Sequence, residues 1–405
     1  MAYRCRAYPT DEQAANLART FGCVRKAWNE ILDWRTKRYR AEGLRTNYAE
    51  ADRHLTNLKK RPDLAFLNEV SSVPLQQTLR HQYRALTNFY ARRAHYPRFK
   101  SRRGRQSAAY TRSAFRWRDG RLWLAKQDAP LRFVWSWPHT DPTALDPSMV
   151  TVTLDPDGMW YVTLQLEGPD PDPPAATGAA VGLDVGVTSF AATSDGDIIV
   201  NRRHLDRRQH RLTHYQRILA RKQCGSANRK KAALKVAKAH GRVRRAREDF
   251  LHKTSTDLVR RYDVIVVEDL NVAGMVRNRS LARAVSDCGW SAFRSMLAYK
   301  TGKWGKRLVV IGRWFPSSKI CSGCGHLLAE LSLRTRTWQC PSCGARHDRD
   351  VNAAKNILAE GLSVTACGAG VRLQGTSLQR SATKQENQLA RAGIPVLEGE
   401  EEVNR

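Results

Sequence analysis

The first part of the chain opens with a strand-like segment and then changes to helical periodicity. Residues 1–9 are predicted as a short strand. Thr10 and Gln13 form the pattern of a capping box, so a helix is expected to begin directly after Thr10. Further helices are predicted from Tyr48 to Lys60 and from Pro74, because apolar side chains recur there every three or four residues. This segment is therefore expected to form a small helical bundle.

Apolar and polar residues alternate with a period of two between residues 115 and 167, which predicts antiparallel strands. Asp119-Gly120 and Asp157-Gly158 lie between alternating segments, and both dipeptides are typical of hairpin turns. The expected product is an antiparallel β-barrel or sandwich, joined by the strand predicted at residues 1–9. The segment GPDPDPPAATG that follows is rich in proline, which predicts a linker and a domain boundary.

The second half of the chain predicts an α/β domain. Residues 179–200 are predicted as three strands joined by tight turns, and residues 203–262 as basic helices. A run of β-branched residues at 262–270 predicts a buried strand, and a further strand is expected at Arg307–Ile311. A last helix is expected to begin at Asp350. This order of strands and helices is that of a ribonuclease H-like domain.

The charge of the chain predicts a polyanionic partner. Among 405 residues there are 69 Lys and Arg against 38 Asp and Glu, a formal net charge of +31. Self-repulsion of this size would weaken the folded state unless a polyanion such as RNA or DNA compensated it. A membrane is not expected as the partner, because the sequence has no run of about 18 apolar residues and no lipidation signal.

The basic residues concentrate in two runs, at 92–105 and 221–247, that contain no acidic residue. Both runs are expected to contact a nucleic-acid backbone. The side chains assigned to this contact are Arg92, Arg93, Arg98, Lys100, Arg102, Arg103, Arg221, Lys222, Arg229, Lys230, Lys231, Arg242, Arg244 and Arg245.

Two Cys-x-x-Cys pairs separated by fifteen residues predict a metal site. This spacing is typical of a two-knuckle site in which four thiolates hold one structural Zn²⁺, and a short hairpin is expected between the pairs. The predicted ligands are Cys321, Cys324, Cys340 and Cys343. The other five cysteines are scattered, which is typical of a reducing cytoplasm. A cytoplasmic location is expected, because the first residues lack the apolar core of a signal peptide.

Three acidic residues occupy positions where a carboxylate is costly or exposed to a ligand. Asp184 lies within an otherwise buried strand, Glu268 at the end of a later strand, and Asp350 at the start of the last helix. In a ribonuclease H-like domain such acids meet at one edge of the sheet, where they hold two Mg²⁺ ions for phosphodiester hydrolysis. The sequence therefore predicts a two-metal nuclease site.

Five stretches of the sequence resemble, in combination, the TnpB family. They are GLDVGVTSF (182–190), VVEDLN (266–271), SDCGW (286–290), SSKICSGCG (317–325) and CPSCGARHDRDVNAA (340–354). This family comprises transposon-encoded RNA-guided DNA endonucleases of the IS200/IS605 group, related to the type V CRISPR nucleases. The resemblance extends from the N-terminal helices nearly to the end of the last predicted helix.

The resemblance implies a RuvC-like nuclease domain, a guide RNA from the transposon end, and a double-stranded DNA target beside a short transposon-adjacent motif. Its motifs make Asp184, Glu268 and Asp350 the catalytic acids. Asp348 is a close rival of Asp350, which is preferred because it directly precedes the VNAA helix start. The domains expected are a β-barrel wedge domain (1–9 and 93–170), a helix-turn-helix-like recognition lobe (10–92), a linker (171–178), the nuclease domain (179–315 and 346–366), a zinc ribbon (316–345) and a disordered tail (367–405).

Two other functions stay open on sequence grounds. One is a nucleic-acid-binding regulator that keeps this scaffold with an inactive nuclease site, although the three intact acids argue against it. The other is a DNA-joining transposase, since similar three-acid sites serve that reaction. The zinc ribbon inside the nuclease domain favours the guided endonuclease.

Overall fold

The computed structural model describes residues 1–168, 173–332 and 334–366, which form two compact units. The first contains Met1–Asp172 and Arg202–Phe250, and the second contains Pro173–Asn201 and the chain from Leu251 onward. The linker predicted at 171–178 lies partly outside the described residues, and the tail predicted at 367–405 lies wholly outside them. Since the first unit includes basic helices that the sequence assigned to the nuclease domain, the domain boundaries stay a prediction.

Three helices open the first unit, and local sequence signals set their bounds. They are α1 (Asp11–Glu42), α2 (Tyr48–Lys60) and α3 (Ser72–Tyr90). The capping box predicted at Thr10 is present, since Thr10 Oγ1 accepts from the Gln13 N–H and Gln13 Oε1 accepts from the Thr10 N–H. The third helix begins two residues earlier than expected, because Pro74 is tolerated anywhere in a first turn that needs no N–H donor.

The remaining core of the first unit is a five-stranded antiparallel sheet with the order β2-β6-β7-β1-β5, accompanied by the hairpin β3–β4. The strand predicted at the N-terminus joins this sheet, and the two hairpins predicted from Asp-Gly turns join β3 to β4 and β6 to β7. The strands are β1 (Ala2–Ala7), β2 (Gln106–Thr111), β3 (Phe115–Arg118), β4 (Arg121–Leu124), β5 (Phe133–Val134), β6 (Pro147–Leu154) and β7 (Trp160–Leu166).

Two basic helices also belong to the first unit, α4 (Gln209–Ala220) and most of α5 (Ala227–Arg261). The turn of the β6–β7 hairpin attaches to α5 through Asp155, whose side chain is only 1% exposed. Its carboxylate pairs with Arg244 at 2.6 Å and also with Arg4 and Arg105. One buried acid thus ties three separate segments of the basic surface together.

The second unit is built on a mixed sheet with the order β10-β9-β8-β11-β12. Three strands form an antiparallel meander, and β11 lies parallel to both β8 and β12. The central strands are nearly continuous runs of apolar residues because both of their faces are covered. The strands are β8 (Ala180–Val185), β9 (Ser189–Thr193), β10 (Ile198–Val200), β11 (Val264–Glu268) and β12 (Arg307–Ile311).

Helices α6 (Val272–Met275), α7 (Ala282–Cys288), α8 (Trp290–Lys303) and α9 (Arg349–Ala366) complete the second unit. The last helix begins at Arg349, one residue before its predicted start at Asp350. A two-stranded hairpin of β13 (Thr337–Gln339) and β14 (Arg346–Asp348) encloses the second cysteine pair. The expectation of a hairpin between the two pairs was therefore wrong in its position, because the knuckle itself forms the turn.

Candidate functional site

Two of the three predicted acids lie side by side at one edge of the second-unit sheet. Strands β8 and β11 are parallel, and Val267 pairs with Leu183. The next residues, Glu268 on β11 and Asp184 on β8, are therefore neighbours, because adjacent strands lie about 4.8 Å apart. This is the carboxyl edge of the sheet, where open α/β folds bind their ligands.

The third acid reaches the same edge on α9. This helix packs against β8 at Gly182, whose missing side chain lets the backbone of Ala354 and Leu358 approach closely. Asp350 lies in the first turn of the helix. Asp348 has a different task, since its Oδ1 accepts from the N–H groups of Asp350 and Val351, both at 3.0 Å. The rival acid therefore caps the helix that carries Asp350.

The electrostatics of this edge are unfavourable for three bare carboxylates. Burial and the negative charges of Glu268 and Asp350 raise the pKa of Asp184 to about 8. Burial also raises the pKa of Glu268, although the hydrogen bond from Ser317 Oγ to Glu268 Oε1 at 2.6 Å opposes this shift. A divalent cation would remove both the desolvation cost and the repulsion, so the residues present suit a hard cation with oxygen ligands.

The four predicted cysteine ligands lie together in the second unit. Their sulfur atoms are all within 4.8 Å of one another, and Cys321–Cys343 and Cys324–Cys340 are separated by 3.7 and 3.6 Å. A tetrahedral zinc site with Zn–S bonds of about 2.3 Å requires sulfur separations of about 3.8 Å. The thiols thus have the geometry of a zinc site.

Among the residues that the structure describes, the four cysteines are the only group of three or more His, Cys, Asp or Glu residues whose ligand atoms all lie within 4.8 Å of one another. The carboxylates at the sheet edge are more widely spaced. A two-ion site distributes its carboxylates over metals about 3.5–4 Å apart, so its ligands need not all lie within one coordination sphere.

The sequence did not identify the side chains that connect the cysteine cluster to the acidic edge. Asn352 on α9 accepts from the Ser322 N–H and donates to the Ile320 carbonyl, next to the first knuckle. Asn356, one turn later, donates to the carbonyls of Ser317 and Ile320. Both asparagines are buried, and they recur at the spacing of one helical face, the signal that would have found them.

A histidine that the sequence left unassigned also touches the cluster. His347 Nε2 lies 3.0 Å from Cys321 Sγ, and its ring packs on Trp338 at 4.8 Å. At this distance the ring nitrogen and the Cys321 sulfur can share a hydrogen bond, in which either of them is the donor. Since Asp348 follows directly, this contact connects the metal ligands to the cap of α9.

The two predicted nucleic-acid runs are only partly free for a partner. Most of their side chains are exposed, but Lys100 lies over the Trp28 ring at 4.1 Å. Arg244 and Arg245 pair with the buried Asp155 and Asp157. Arg229 donates to two backbone carbonyls, those of Leu219 and Lys222. The predicted contacts stay a prediction, and these four side chains already have partners within the protein.

A basic cavity of about 210 Å³ lies between α4 and α5. Five of its lining residues are cationic, and four of these five were not among the predicted contacts. The lining residues are Arg208, Arg211, Tyr215, Lys235, Lys238, Ala239 and Arg242. A concave surface of one sign of charge concentrates polyanions, so this cavity suits a phosphate backbone.

The two units define a mixed α/β protein with N-terminal helices and a four-cysteine metal site, and three family models match it. A "Helix-turn-helix domain" model covers residues 1–43, a model described as "Probable transposase" covers 163–279, and a "Cas12f1-like, TNB domain" model covers 290–357. The second and third of these matches include the three acids and all four cysteines.

Relatives over the full length establish the family. A protein of Streptomyces pristinaespiralis named "Putative RNA-guided DNA endonuclease" is 53% identical over 399 residues, covering 98% of both chains. "Putative RNA-guided DNA endonuclease InsQ" of Escherichia coli K12 is 30% identical over 401 residues, covering 95% of this chain and 97% of the relative. The chain belongs to the TnpB family, also called OrfB of the IS605 group.

A solved structure shares the fold at low sequence identity. The cryo-EM structure of a Cas12f1–sgRNA–target DNA complex matches with a TM-score of 0.53 and 15% identity, covering 86% of this chain and 83% of that protein.

Within the described residues, the helices are too short or too polar to cross a bilayer.

Proposed function

We propose that this protein is an RNA-guided DNA endonuclease that hydrolyses its target by a two-metal mechanism at Asp184, Glu268 and Asp350. The observation that carries the proposal is the strand register that makes Asp184 and Glu268 neighbours, with α9 packed over them. The names of its relatives as RNA-guided DNA endonucleases, and the guide and target in the Cas12f1 complex, support the same function.

The sheet topology supports a ribonuclease H-like domain. An antiparallel meander followed by two parallel strands is the arrangement of that architecture, and its acids lie on the central strands. We assign the nuclease domain to residues 179–315 and 346–366, the zinc ribbon to 316–345, and the recognition lobe and wedge domain to the first unit. The wedge corresponds to the antiparallel sheet that β1 joins.

Each acidic residue has a role that follows from its surroundings. Two Mg²⁺ ions, when bound, would activate the attacking water and stabilise the leaving oxygen. Asp184, whose pKa is raised by burial and by the charges of both other acids, would hold the ions together with them. Glu268 is oriented by the hydrogen bond from Ser317, and Asp350 is held by the first turn of α9. Arg336 Nη1 lies 3.7 Å from Asp350 Oδ1, and its positive charge would suit a substrate phosphate held near this acid.

The four cysteines would hold one structural Zn²⁺, and no step of the reaction requires this ion. Its effect on the reaction would be indirect. The first knuckle is hydrogen-bonded to Asn352 and the segment before it to Asn356, and both asparagines lie on the helix that carries Asp350. The guide RNA would lie on the basic surface of the first unit, where the cavity between α4 and α5 has no acidic lining residue.

The test is to co-express the chain with its flanking transposon end, purify the particle, and sequence any RNA that it carries. The loaded particle is then incubated with a plasmid library and Mg²⁺. Asp184→Asn should lower the cleavage rate at least ~100-fold without loss of bound RNA. Asp197→Asn is the matched control, since this exposed acid lies at the turn before β10.

Four results would contradict the proposal. A particle without RNA would remove the guide, and full cleavage by Asp184→Asn would remove the proposed site. RNA-dependent DNA binding without cleavage in Mg²⁺ would indicate the regulator instead. Joined rather than cut DNA ends would indicate the transposase.

A further inference from the structure

Trp314 is the most exposed large apolar side chain in the part of the chain that the structure describes. Its exposed fraction is 90%, and the next in rank, Val200, is at 63%. Tryptophan side chains are highly buried on average, because their large apolar surface is costly to leave in water. An indole that is almost fully exposed is therefore typical of a binding surface.

The residues on both sides of Trp314 are held by contacts with the rest of the second unit. Arg313 donates to the Asp269 carbonyl at 3.1 Å and to Asp269 Oδ2 at 2.9 Å. On the other side, Phe315 closes a turn with Gly312 and packs against the core formed by β11, β12 and α9. Both neighbours are anchored to the protein, which leaves the indole directed at solvent.

This loop is attached at both ends to the candidate active site. Ile311, which begins it, pairs with Glu268 across β11 and β12. Ser317, which ends it, donates to the Glu268 carboxylate at 2.6 Å. Asp269, which holds Arg313, is the residue after Glu268. Trp314 thus lies three residues after Ile311 and three residues before Ser317, and both of these residues contact the proposed catalytic acid Glu268.

We propose that Trp314 is a positioning residue that stacks on an unpaired base of the DNA strand held at the carboxylates. This inference rests on the proposed function. An exposed indole offers a flat face to any base, and such stacking is tolerant of sequence. The other exposed residues of the loop are Gly312, Arg313 and Pro316. None of them is a large apolar side chain that would extend the indole into an apolar protein-binding patch, so a single flat base is the better fit.

The test compares Trp314→Ala, Trp314→Phe and the control Tyr299→Ala, a half-exposed aromatic residue on α8 of the same unit. The RNA-loaded chain cleaves a target DNA, and kcat and KM are measured. Stacking predicts that Trp314→Ala lowers kcat/KM about 10- to 100-fold, that phenylalanine restores most of this loss, and that Tyr299→Ala cleaves like the wild type. A second readout needs no cleavage. The fluorescence of a single 2-aminopurine in a single-stranded oligonucleotide should be quenched on binding to the wild type and to Trp314→Phe, but much less on binding to Trp314→Ala.

Three outcomes would overturn the inference. The first is a Trp314→Ala variant that cleaves and quenches like the wild type. The second is a Trp314→Phe variant as defective as Trp314→Ala. The third is a change in oligomeric state alone, which would indicate a protein contact. If Asp184→Asn abolishes cleavage while Trp314→Ala has no effect, only this inference fails. If Asp184→Asn still cleaves, the proposed function fails. The 2-aminopurine quenching then still shows whether Trp314 stacks on a base, because that measurement requires no cleavage.

Discussion

Alanine at Gly182 should force α9 away from the sheet. A Cβ at this position would lie 2.7 Å from Leu358 N and 2.9 Å from Leu358 Cβ, and also against the Ala354 carbonyl oxygen. Non-bonded heavy atoms ordinarily lie about 3.5–4 Å apart, so the helix must move by roughly 1 Å. Because two of the obstructing atoms belong to the backbone, no side-chain rotation can relieve the contact.

The expected effect has two parts. Overpacking in a filled core costs about 1–3 kcal/mol, and we expect the free energy of unfolding to fall by about 3 kcal/mol, the upper end of that range. The same shift moves Asp350 relative to Asp184. A displacement of ~1 Å in a catalytic group can lower the rate ~100-fold, so cleavage should fall by this factor even where the variant is fully folded.

Denaturant unfolding and single-turnover cleavage in Mg²⁺ measure the two parts separately. Gly22→Ala in α1 is the matched control, because its Cβ would meet no described atom outside its own helix within 4 Å. It should leave cleavage unchanged and raise the free energy of unfolding by up to ~1 kcal/mol. If Gly182→Ala matches the wild type in both measurements, the close packing of α9 on β8 is not what positions the acids.

Three further outcomes follow from the contacts described above. Cys340→Ser should lose zinc, measured by metal analysis, and should also lower cleavage, because the ribbon holds Ser317 and the helix of Asp350; zinc-free protein with normal cleavage would contradict this. Burial lowers the pKa of Lys300 to about 8, so the unfolded chain binds more protons from about pH 8 up to the ordinary lysine pKa. The free energy of unfolding of the wild type, relative to Lys300→Met, should therefore rise with pH over that window, and a difference that stays constant would refute it. Asp155→Asn leaves three arginines without their shared carboxylate, which should lower the free energy of unfolding by about 1–3 kcal/mol; unchanged denaturant curves would show that these pairs contribute nothing.

Much of the local structure could be predicted because its signals lie within a few residues. The capping box at Thr10, the bounds of α2, the strand Arg307–Ile311 and the Asp-Gly hairpins all depend on neighbouring backbone groups. The cysteine spacing likewise fixes a metal site, since each knuckle is a short turn. The start of α3 and the position of the ribbon hairpin were less well predicted. A helix that begins at Ser72 or at Pro74, and a hairpin between the cysteine pairs or around the second pair, satisfy the local backbone bonds equally well.

The basic runs show where such inference from composition ends. Arg244 and Lys100 have the same charge as their exposed neighbours in the sequence. One nevertheless pairs with the buried Asp155, and the other lies over Trp28. Whether a cation faces solvent depends on which distant segment packs on it, and no local pattern carries that information.

The three acids, the four thiols and the excess of positive charge can be identified from the residues alone. The folded structure adds that Glu268 lies beside Asp184 and that Ser317 and Asn356 connect the acidic edge to the segment before the first knuckle. It also shows that Trp314 is exposed next to this edge. These relations join residues separated by tens of positions. They arise when strand register and helix packing close the chain on itself, which local backbone preferences do not specify.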